Sequence, residues 1–498
     1  MKMENKNKQS AYQHVLKYTS IFGGIQGLNI LVSIVRTKLV ALILGPEGMG
    51  LMSLFSSTIK FVSDSTNLGI GTSAVRDLSE AFERDDAKIN ETVMTVRTWS
   101  FLTALAGTLL CIVLSPLLNK FTFSWGDHIF HFILLSPVVG MMAVTSGELS
   151  ILKGARRLKS LAKISIYGVF LSVIISVPIL YLMGQRGIIP SLILLAFVQM
   201  LLVIIFSFRL YPIRLSFSKS SISKGMSMVR LGVAFVIAGV MGSGADFIIR
   251  SYLNYTDSLD AVGLYNAGYM MTMVYAGMVF SAMETDFFPR LSAVNKDVAA
   301  SNLTINRQIE VSLLILSPMV VALIVALPII IPLLYSGKFM PVLDMVQIAS
   351  LALYLRAVNL PVQYLSLAKG DSLSYMLIEA IYDIPIVLLI ILLYGDFGMK
   401  GIGFALLACS IIDFVATLIY TYKKYHYSLS RQVVSYMMLQ LPIGIAVYIV
   451  TQTLHGWTYW AMGVLLFVAS AGISLQILQQ KTALWNSLKR KLKGGHDE

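Results

Sequence analysis

Long apolar stretches, separated by short polar turns, run through almost the whole chain. A window of about 20 apolar residues is long enough to cross a hydrocarbon core of about 30 Å as a helix, and such windows recur with few polar gaps. The pattern predicts about fourteen transmembrane helices and leaves no room for a soluble domain. The predicted spans are 14–44, 49–73, 93–118, 129–152, 161–183, 188–210, 228–252, 261–285, 308–334, 342–368, 372–394, 400–421, 433–453 and 458–479.

An internal repeat organises these spans. The stretch from Arg36 to Arg76 returns in a degenerate form from Arg250 to Arg290, with an arginine inside an apolar helix followed by a Gly-Leu pair at Gly50 and at Gly263. A later Lys-Gly turn also recurs, and the offsets between the copies stay between 213 and 216 residues. Self-similarity at one offset indicates two related halves of the chain.

Each half holds six predicted spans, so the two halves share one orientation in the membrane. Parallel repeats of this kind are typical of transporters, with a shared site near the middle of the bilayer. The sequence therefore predicts an all-α polytopic membrane protein with two six-helix lobes and a trailing helix pair. The predicted segments are an N-lobe over 14–210, a cytoplasmic linker over 211–227, a C-lobe over 228–421, a helix pair over 433–479 and a basic cytoplasmic tail over 480–498.

Composition and charge agree with a membrane protein and set its orientation. Of the 498 residues, 56% are hydrophobic and only 13% are charged, whereas charged residues approach a quarter of a soluble protein. Thirty of the 39 Lys and Arg residues fall on one side of the predicted spans, which predicts that this side and both termini are cytoplasmic. The net charge of +13 therefore marks membrane loops and a lipid-facing tail, and it does not indicate a nucleic-acid partner.

Three cations inside the predicted spans are candidate ligands for an anionic substrate: Arg36, Lys60 and Arg250. A charge at membrane depth costs about 3 kcal/mol or more, so it faces a partner or a watery cavity. The alternative is a simple ion pair, because Asp64 follows Lys60 and Asp246 precedes Arg250 at i,i+4 spacing. The sequence leaves both interpretations open.

Two acidic residues lie one helical turn apart in the predicted eleventh span, Glu379 and Asp383. Like charges at this spacing could share a proton or bind a cation, which would suit ion coupling. They could equally neutralise Arg356 in the tenth span. Both hypotheses remain open at this stage.

The sequence shows no motif that is typical of a catalytic site. The chain contains no Gly-rich phosphate loop and no nucleophile elbow, and its two cysteines, Cys111 and Cys409, lie inside apolar helices. His128 and His131 are spaced i,i+3 but lack a nearby cysteine or second acidic ligand. We therefore expect no catalytic residue, metal site or cofactor.

Two short motifs resemble a known family. An apolar helix with Arg36 leads into the Gly-rich segment 45–51 (Gly-Pro-Glu-Gly-Met-Gly-Leu), and Val-Gly-Leu-Tyr at 262–265 with Pro-Arg-Leu at 289–291 resembles the family's start of a second lobe. The chain is similar to the polysaccharide-exporting flippases of the MOP superfamily, especially the Wzx-type flippases of O-antigen repeat units. The resemblance covers nearly the whole chain.

The resemblance implies a MATE/MOP-like fold with two bundles around a central cationic cavity, in which Arg36, Lys60 and Arg250 would take the cationic positions. It implies an inner-membrane protein of lipopolysaccharide biosynthesis that moves undecaprenyl-pyrophosphate-linked oligosaccharide from the cytoplasmic to the periplasmic leaflet. The implied partners are this substrate, membrane lipids and other polysaccharide-assembly membrane proteins.

Two alternative functions predict different sequence features. A cation- or proton-coupled drug exporter of the MATE type, on the same fold, predicts a cavity dominated by acidic residues. A membrane glycosyltransferase or ligase needs a large polar extracytoplasmic loop with catalytic acids or histidines, and no loop between the predicted spans is long enough for that.

Overall fold

Helices make up nearly all of the computed structural model, which describes residues 2–82, 86–275, 280 and 287–481. The end of the predicted span 261–285 and most of the predicted tail lie outside these residues. Residues 287–293 are helical, 3-10 turns cover Gly184–Gly187 and Gly337–Val342, and a π-helical turn covers Met270–Tyr275. The long helices are α1 (Lys2–Thr66), α2 (Ile70–Phe82), α3 (Asp86–Thr122), α4 (Ile129–Gly154), α5 (Leu158–Met183), α6 (Ile188–Phe208), α7 (Lys219–Thr256), α8 (Leu259–Tyr269), α9 (Val298–Leu334), α10 (Leu343–Ala368), α11 (Ser372–Tyr425), α12 (Arg431–Thr453) and α13 (Gly456–Lys481).

Ten helices in the described part of the chain are long and apolar enough to cross a membrane. Three of them cover Gly27–Thr66, Lys159–Phe208 and Ser372–Tyr425, and each is long enough to cross twice, since about 20 residues suffice for one crossing. That gives room for thirteen crossings among the described residues, while the remaining predicted span, 261–285, is described only over 261–275 and at 280. The prediction of an all-α chain with about fourteen spans is confirmed.

Glycine breaks divide the two longest helices. Gly45 in α1 and Gly398 in α11 have φ angles of +66° and +55°, a left-handed conformation that costs a glycine little and other residues more. Pro46 follows the first break and cannot donate a helical hydrogen bond, which reinforces it. Each of these helices therefore supplies two spans.

The two ends of α11 meet, which shows that its halves double back on each other. As a straight helix its 54 residues would extend about 80 Å, yet Lys424 near its end lies 2.7 Å from the Asp371 carboxylate that caps its start. The pKa of Asp371 is subject to opposing effects: burial raises it, but hydrogen bonds from Lys424, Ser374 and Tyr425 outweigh burial and hold it well below its usual range. The carboxylate therefore stays ionised at neutral pH and keeps the two ends together.

The end of the predicted second span, 49–73, was wrong. The helix ends at Thr66, and Leu68 and Gly69 adopt positive φ angles before the separate helix α2 begins. Asn67 stabilises this turn by accepting a hydrogen bond from the Gly69 amide at 2.7 Å. Residues at helical spacing bury one face of α2, which explains why the apolar signal continued past the turn; they are Ile70, Ala74, Leu78 and Ala81.

The described chain divides into two compact units. Unit 1 contains Met1–Leu264 and Leu333–Lys338, and unit 2 contains Tyr265–Pro332 and Phe339–Glu498. Unit 1 includes α7, which packs against α1, α2 and α3. This division by packing passes Leu264, while the repeat-based lobes 14–210 and 228–421 and the linker 211–227 stay predictions.

A close backbone approach in unit 1 joins the two glycines that anchor the sequence repeat. A Cβ atom on Gly50 would overlap the carbonyl oxygen of Leu259, and a Cβ on Gly263 would overlap the carbonyl oxygen of Pro46. Both obstacles are backbone atoms, which cannot rotate away as a side chain can. Only glycine therefore fits at either position without a shift of α1 or α8.

We expect Gly50→Ala and Gly263→Ala each to lower the free energy of unfolding by about 1–3 kcal/mol, because the added methyl group overpacks this contact. The measurement is thermal unfolding of the detergent-purified protein. Gly395→Ala and Gly472→Ala are matched controls, since a Cβ at either helical position meets nothing within 4 Å. Equal melting temperatures for all four variants would contradict the assigned contact.

Candidate functional site

Arg36 lies in the first half of α1, about 13 Å along the helix axis from the break at Gly45. Its Nε donates a hydrogen bond of 2.9 Å to the hydroxyl of Ser176 on α5, and that hydroxyl in turn donates to the Ser172 carbonyl. Within the described residues, no carboxylate lies at ion-pair distance from Arg36, and its two Nη groups make no hydrogen bond. Arg36 is thus oriented by a neutral group, and no described carboxylate compensates its charge.

Arg250 lies on α7 in unit 1 and is surrounded differently. It is only 5% exposed, its Nε donates to the Ser53 hydroxyl at 2.6 Å, and its guanidinium forms an ion pair with Asp246. The Nη1 group also donates to the Asp246 carbonyl at 3.2 Å. The predicted i,i+4 pair therefore forms, and it compensates the charge of Arg250.

Lys60 is the most exposed of the three predicted cations. Its side chain is 56% exposed and forms an ion pair of 3.1 Å with Asp64 on the next turn of α1. An ion pair at i,i+4 with this exposure contributes little to stability. Of the three candidate substrate ligands, Lys60 and Arg250 are thus paired with carboxylates, and their roles in binding stay predictions.

A polar cavity of about 220 Å³ lies inside unit 2. Its lining includes three of the predicted site residues, Arg356 on α10 with Glu379 and Asp383 on the first half of α11. Asp413, on the second half of α11, adds a third carboxylate. The fold therefore brings one cation and three acidic side chains to one cavity.

Amide and hydroxyl groups orient Asp413. Its carboxylate accepts hydrogen bonds from Asn359 at 2.6 Å, from Gln363 at 3.3 Å and from Thr417 at 3.1 Å. Asn359 and Gln363 lie three and seven residues after Arg356, so one face of α10 presents all three polar groups to the cavity. This spacing was a signal in the sequence that the prediction did not use.

Arg356 does not pair directly with the acidic residues of its cavity. Its Nη1 lies 2.8 Å from the sulfur of Met273 in the π-helical turn, and none of the described carboxylates lies at ion-pair distance from it. The hydroxyl of Tyr382, which also lines the cavity, is buried without a hydrogen-bond partner among the described residues. A buried hydroxyl without a partner is costly, so this space suits a water molecule or a small bound cation.

A buried ion pair that the sequence prediction missed joins α3 and α4. Arg97 and Glu148 are each 4% exposed, and they pair in a bidentate manner at 2.8 and 3.2 Å. Arg97 also donates to the Pro212 carbonyl at 2.8 Å and to the Ser207 hydroxyl at 3.2 Å, and it lies over the Phe208 ring. The pair therefore fixes the segment that follows α6, at the start of the predicted linker.

The sequence carried a signal for this pair as well. Arg97 lies four residues inside the start of the predicted span 93–118, and Glu148 lies four residues inside the end of the next span, 129–152. Consecutive antiparallel helices bring such positions to the same depth. The equal depth of the two residues in the membrane would have indicated the contact, although they are far apart along the chain.

Comparison with known proteins identifies the family. A family model described as polysaccharide biosynthesis protein matches residues 39–344, which is more than half of the chain. The chain belongs to this family. No curated protein matches it significantly.

Solved structures of MOP superfamily transporters share the fold of this polysaccharide biosynthesis family member. An inward-facing MATE family multidrug resistance transporter gives a TM-score of 0.66 at 15% identity, over 80% of this chain and 94% of that one. The lipid II flippase MurJ in an inward closed conformation gives 0.63 at 17% identity, over 92% and 99%. A MOP superfamily transporter from Pyrococcus furiosus gives 0.60 at 14% identity, over 82% and 94%.

The similar solved structures show the fold of this chain, and the family model shows the family to which it belongs. The MATE/MOP-like architecture is confirmed by the shared fold, and the predicted link to polysaccharide biosynthesis is confirmed by the family match. The chain is a multi-pass membrane protein of the polysaccharide biosynthesis family, and its fold is one found in MOP superfamily transporters.

Proposed function

We propose that this protein is a flippase for undecaprenyl-pyrophosphate-linked oligosaccharide, such as an O-antigen repeat unit of lipopolysaccharide biosynthesis. It would work by alternating access in the bacterial inner membrane, with both termini in the cytoplasm. Family membership supports the substrate class, and the distribution of Lys and Arg supports the orientation. Its partners would be the lipid-linked substrate, membrane lipids and other membrane proteins of polysaccharide assembly.

The uncompensated charge of Arg36 is the observation that carries this proposal. A pyrophosphate bears about two negative charges, and transfer of these charges through bare hydrocarbon would be prohibitive. Neither Nη group of Arg36 donates to a described residue, and the two together can bind two phosphate oxygens at once. Arg250 and Lys60 would add to a cationic path, although each already pairs with a carboxylate in this conformation.

The test is the sidedness of lipid-linked intermediates in cells that lack this protein. We expect undecaprenyl-pyrophosphate oligosaccharide to accumulate in the cytoplasmic leaflet and to decline when the intact gene is restored. An extract without such accumulation would contradict the proposal, and altered resistance to toxic organic cations in the same cells would favour the MATE-type drug exporter.

The acidic cavity of unit 2 supports a second element of the proposal, coupling to a cation gradient. Glu379, Asp383 and Asp413 outnumber the single Arg356 there, so the cavity favours a proton or a small cation over an anion. The same excess of acid is what the drug-exporter alternative requires. Coupling and substrate binding are therefore assigned to different units of the protein.

We expect the double variant Glu379→Gln/Asp383→Asn to lose the dependence of transport on pH or on sodium, because its cavity no longer holds titratable groups at these positions. The measurement is substrate translocation in proteoliposomes under imposed proton or sodium gradients. Asp396→Asn is the matched control, since Asp396 is an exposed carboxylate on the same helix and outside the cavity. Unchanged gradient dependence in the double variant would remove these two residues from coupling.

A further inference from the structure

Unit 1 contains a recess of its own, which the proposed transport path does not use. It is a groove of about 650 Å³ between α4, α5 and α6, and its walls are almost wholly apolar. Leu134, Leu194 and Phe197 each leave 40% of their surface exposed in it. All three helices belong to candidate membrane spans, so hydrocarbon rather than water must fill this groove.

The length of the groove matches one leaflet of a bilayer. Its α4 wall runs from His131 to Met141 and its α6 wall from Ile189 to Phe197, which corresponds to about 15 Å along α4 and about 12 Å along α6. These lengths are close to half of a hydrocarbon core of about 30 Å. The groove therefore fits an acyl chain that enters from a single leaflet.

Charge marks one end of the groove only. Arg186, in the 3-10 turn between α5 and α6, lies at the mouth, while apolar Met141 and Phe197 close the far end. Arg186 makes no hydrogen bond or ion pair with any described residue. It is also one of only five cations at the end of the protein that the Lys and Arg distribution assigns to the outer face.

We propose that this groove binds an anionic glycerophospholipid of the outer leaflet. One acyl chain occupies the apolar channel, and the headgroup phosphate pairs with the Arg186 guanidinium at the interface, where a planar fork of N–H donors matches phosphate oxygens. The bound lipid is a resident of the membrane. This inference rests on the proposed orientation but does not depend on the identity of the transported molecule.

The test compares the lipids retained by the purified full-length protein after exchange into mixed phosphatidylglycerol and phosphatidylcholine, measured by native mass spectrometry. We expect the wild-type protein to retain phosphatidylglycerol about five-fold over phosphatidylcholine, and Arg186→Gln to remove that preference. Lys338→Gln is the matched control, because Lys338 is an exposed cation assigned to the same face but outside the groove.

A second variant tests the apolar channel itself. Leu194→Trp fills the groove and is expected to reduce retention of both lipids, with little effect on folding because Leu194 is exposed. The inference is overturned if Arg186→Gln keeps the preference, if Lys338→Gln loses it equally, or if Leu194→Trp leaves retention unchanged. Selective retention of polyprenyl phosphate in place of phosphatidylglycerol would also overturn the assigned occupant.

Discussion

Replacing Arg36 with alanine is expected to reduce translocation of the lipid-linked oligosaccharide strongly while the protein remains in the membrane. The expectation follows from the position of Arg36, which holds a full charge at membrane depth with only the Ser176 hydroxyl as a hydrogen-bond partner among the described residues. Loss of charge-assisted hydrogen bonds to a pyrophosphate corresponds to a decrease in transport of about ten-fold to a hundred-fold. The measurement is the rate of substrate flipping in proteoliposomes, with membrane abundance measured in parallel.

Two further variants separate charge from geometry at this position. Arg36→Lys keeps the charge but loses the planar fork, so it should retain partial transport. Ser176→Ala removes only the orienting hydroxyl and should reduce transport less than Arg36→Ala. Full transport by Arg36→Ala would exclude Arg36 as a substrate ligand.

Arg250 requires a different comparison because Asp246 already compensates its charge. Arg250→Ala alone leaves the Asp246 carboxylate without its cation, so a loss of transport in that variant has a structural explanation. The double variant Arg250→Ala/Asp246→Asn removes both charges. If Arg250 binds substrate, the double variant stays inactive although its abundance returns to that of the wild type.

The second large effect is expected at the buried ion pair of unit 1. Arg97→Met should destabilise the protein by about 3–5 kcal/mol, because Glu148 would remain as a buried carboxylate without a cation. The loss should appear as low membrane abundance and a lower unfolding temperature in detergent. The Pro212 carbonyl also loses its donor, so the segment after α6 should become more accessible to protease.

Removal of both charges provides the control. Arg97→Met/Glu148→Met replaces the pair with apolar side chains of similar length, and such replacements are often neutral or stabilising. The double variant should therefore recover most of the stability lost by Arg97→Met. A single variant as stable as the wild type would contradict the buried pair.

Interactions between residues one helical turn apart could be predicted from the sequence. The Lys60–Asp64 and Arg250–Asp246 pairs form as the i,i+4 spacing indicated. Helix geometry alone brings these side chains together, so no information about tertiary structure was needed. The sequence could not show that a hydroxyl would orient Arg36, because the hydrogen bond from Arg36 to Ser176 joins positions 140 residues apart.

The cavity of unit 2 was predicted only in part. Glu379 and Asp383 were recognised because they lie one turn apart, but Asp413 joins them only because α11 doubles back at Gly398. A single positive φ angle thus decides which polar residues face each other. The sequence indicated the break, because the predicted spans 372–394 and 400–421 are separated there, but it did not show which side chains of the two halves would face each other.

The sequence by itself determined the membrane class, the number of spans, the repeat and the family of this protein. These are properties of local hydrophobicity and of short motifs, which persist in any fold of the chain. Only the tertiary structure decided which charges are compensated and which residues share a cavity or a groove. These depend on contacts between helices that are distant in sequence, such as Arg97 with Glu148, and helical periodicity carries no information about them.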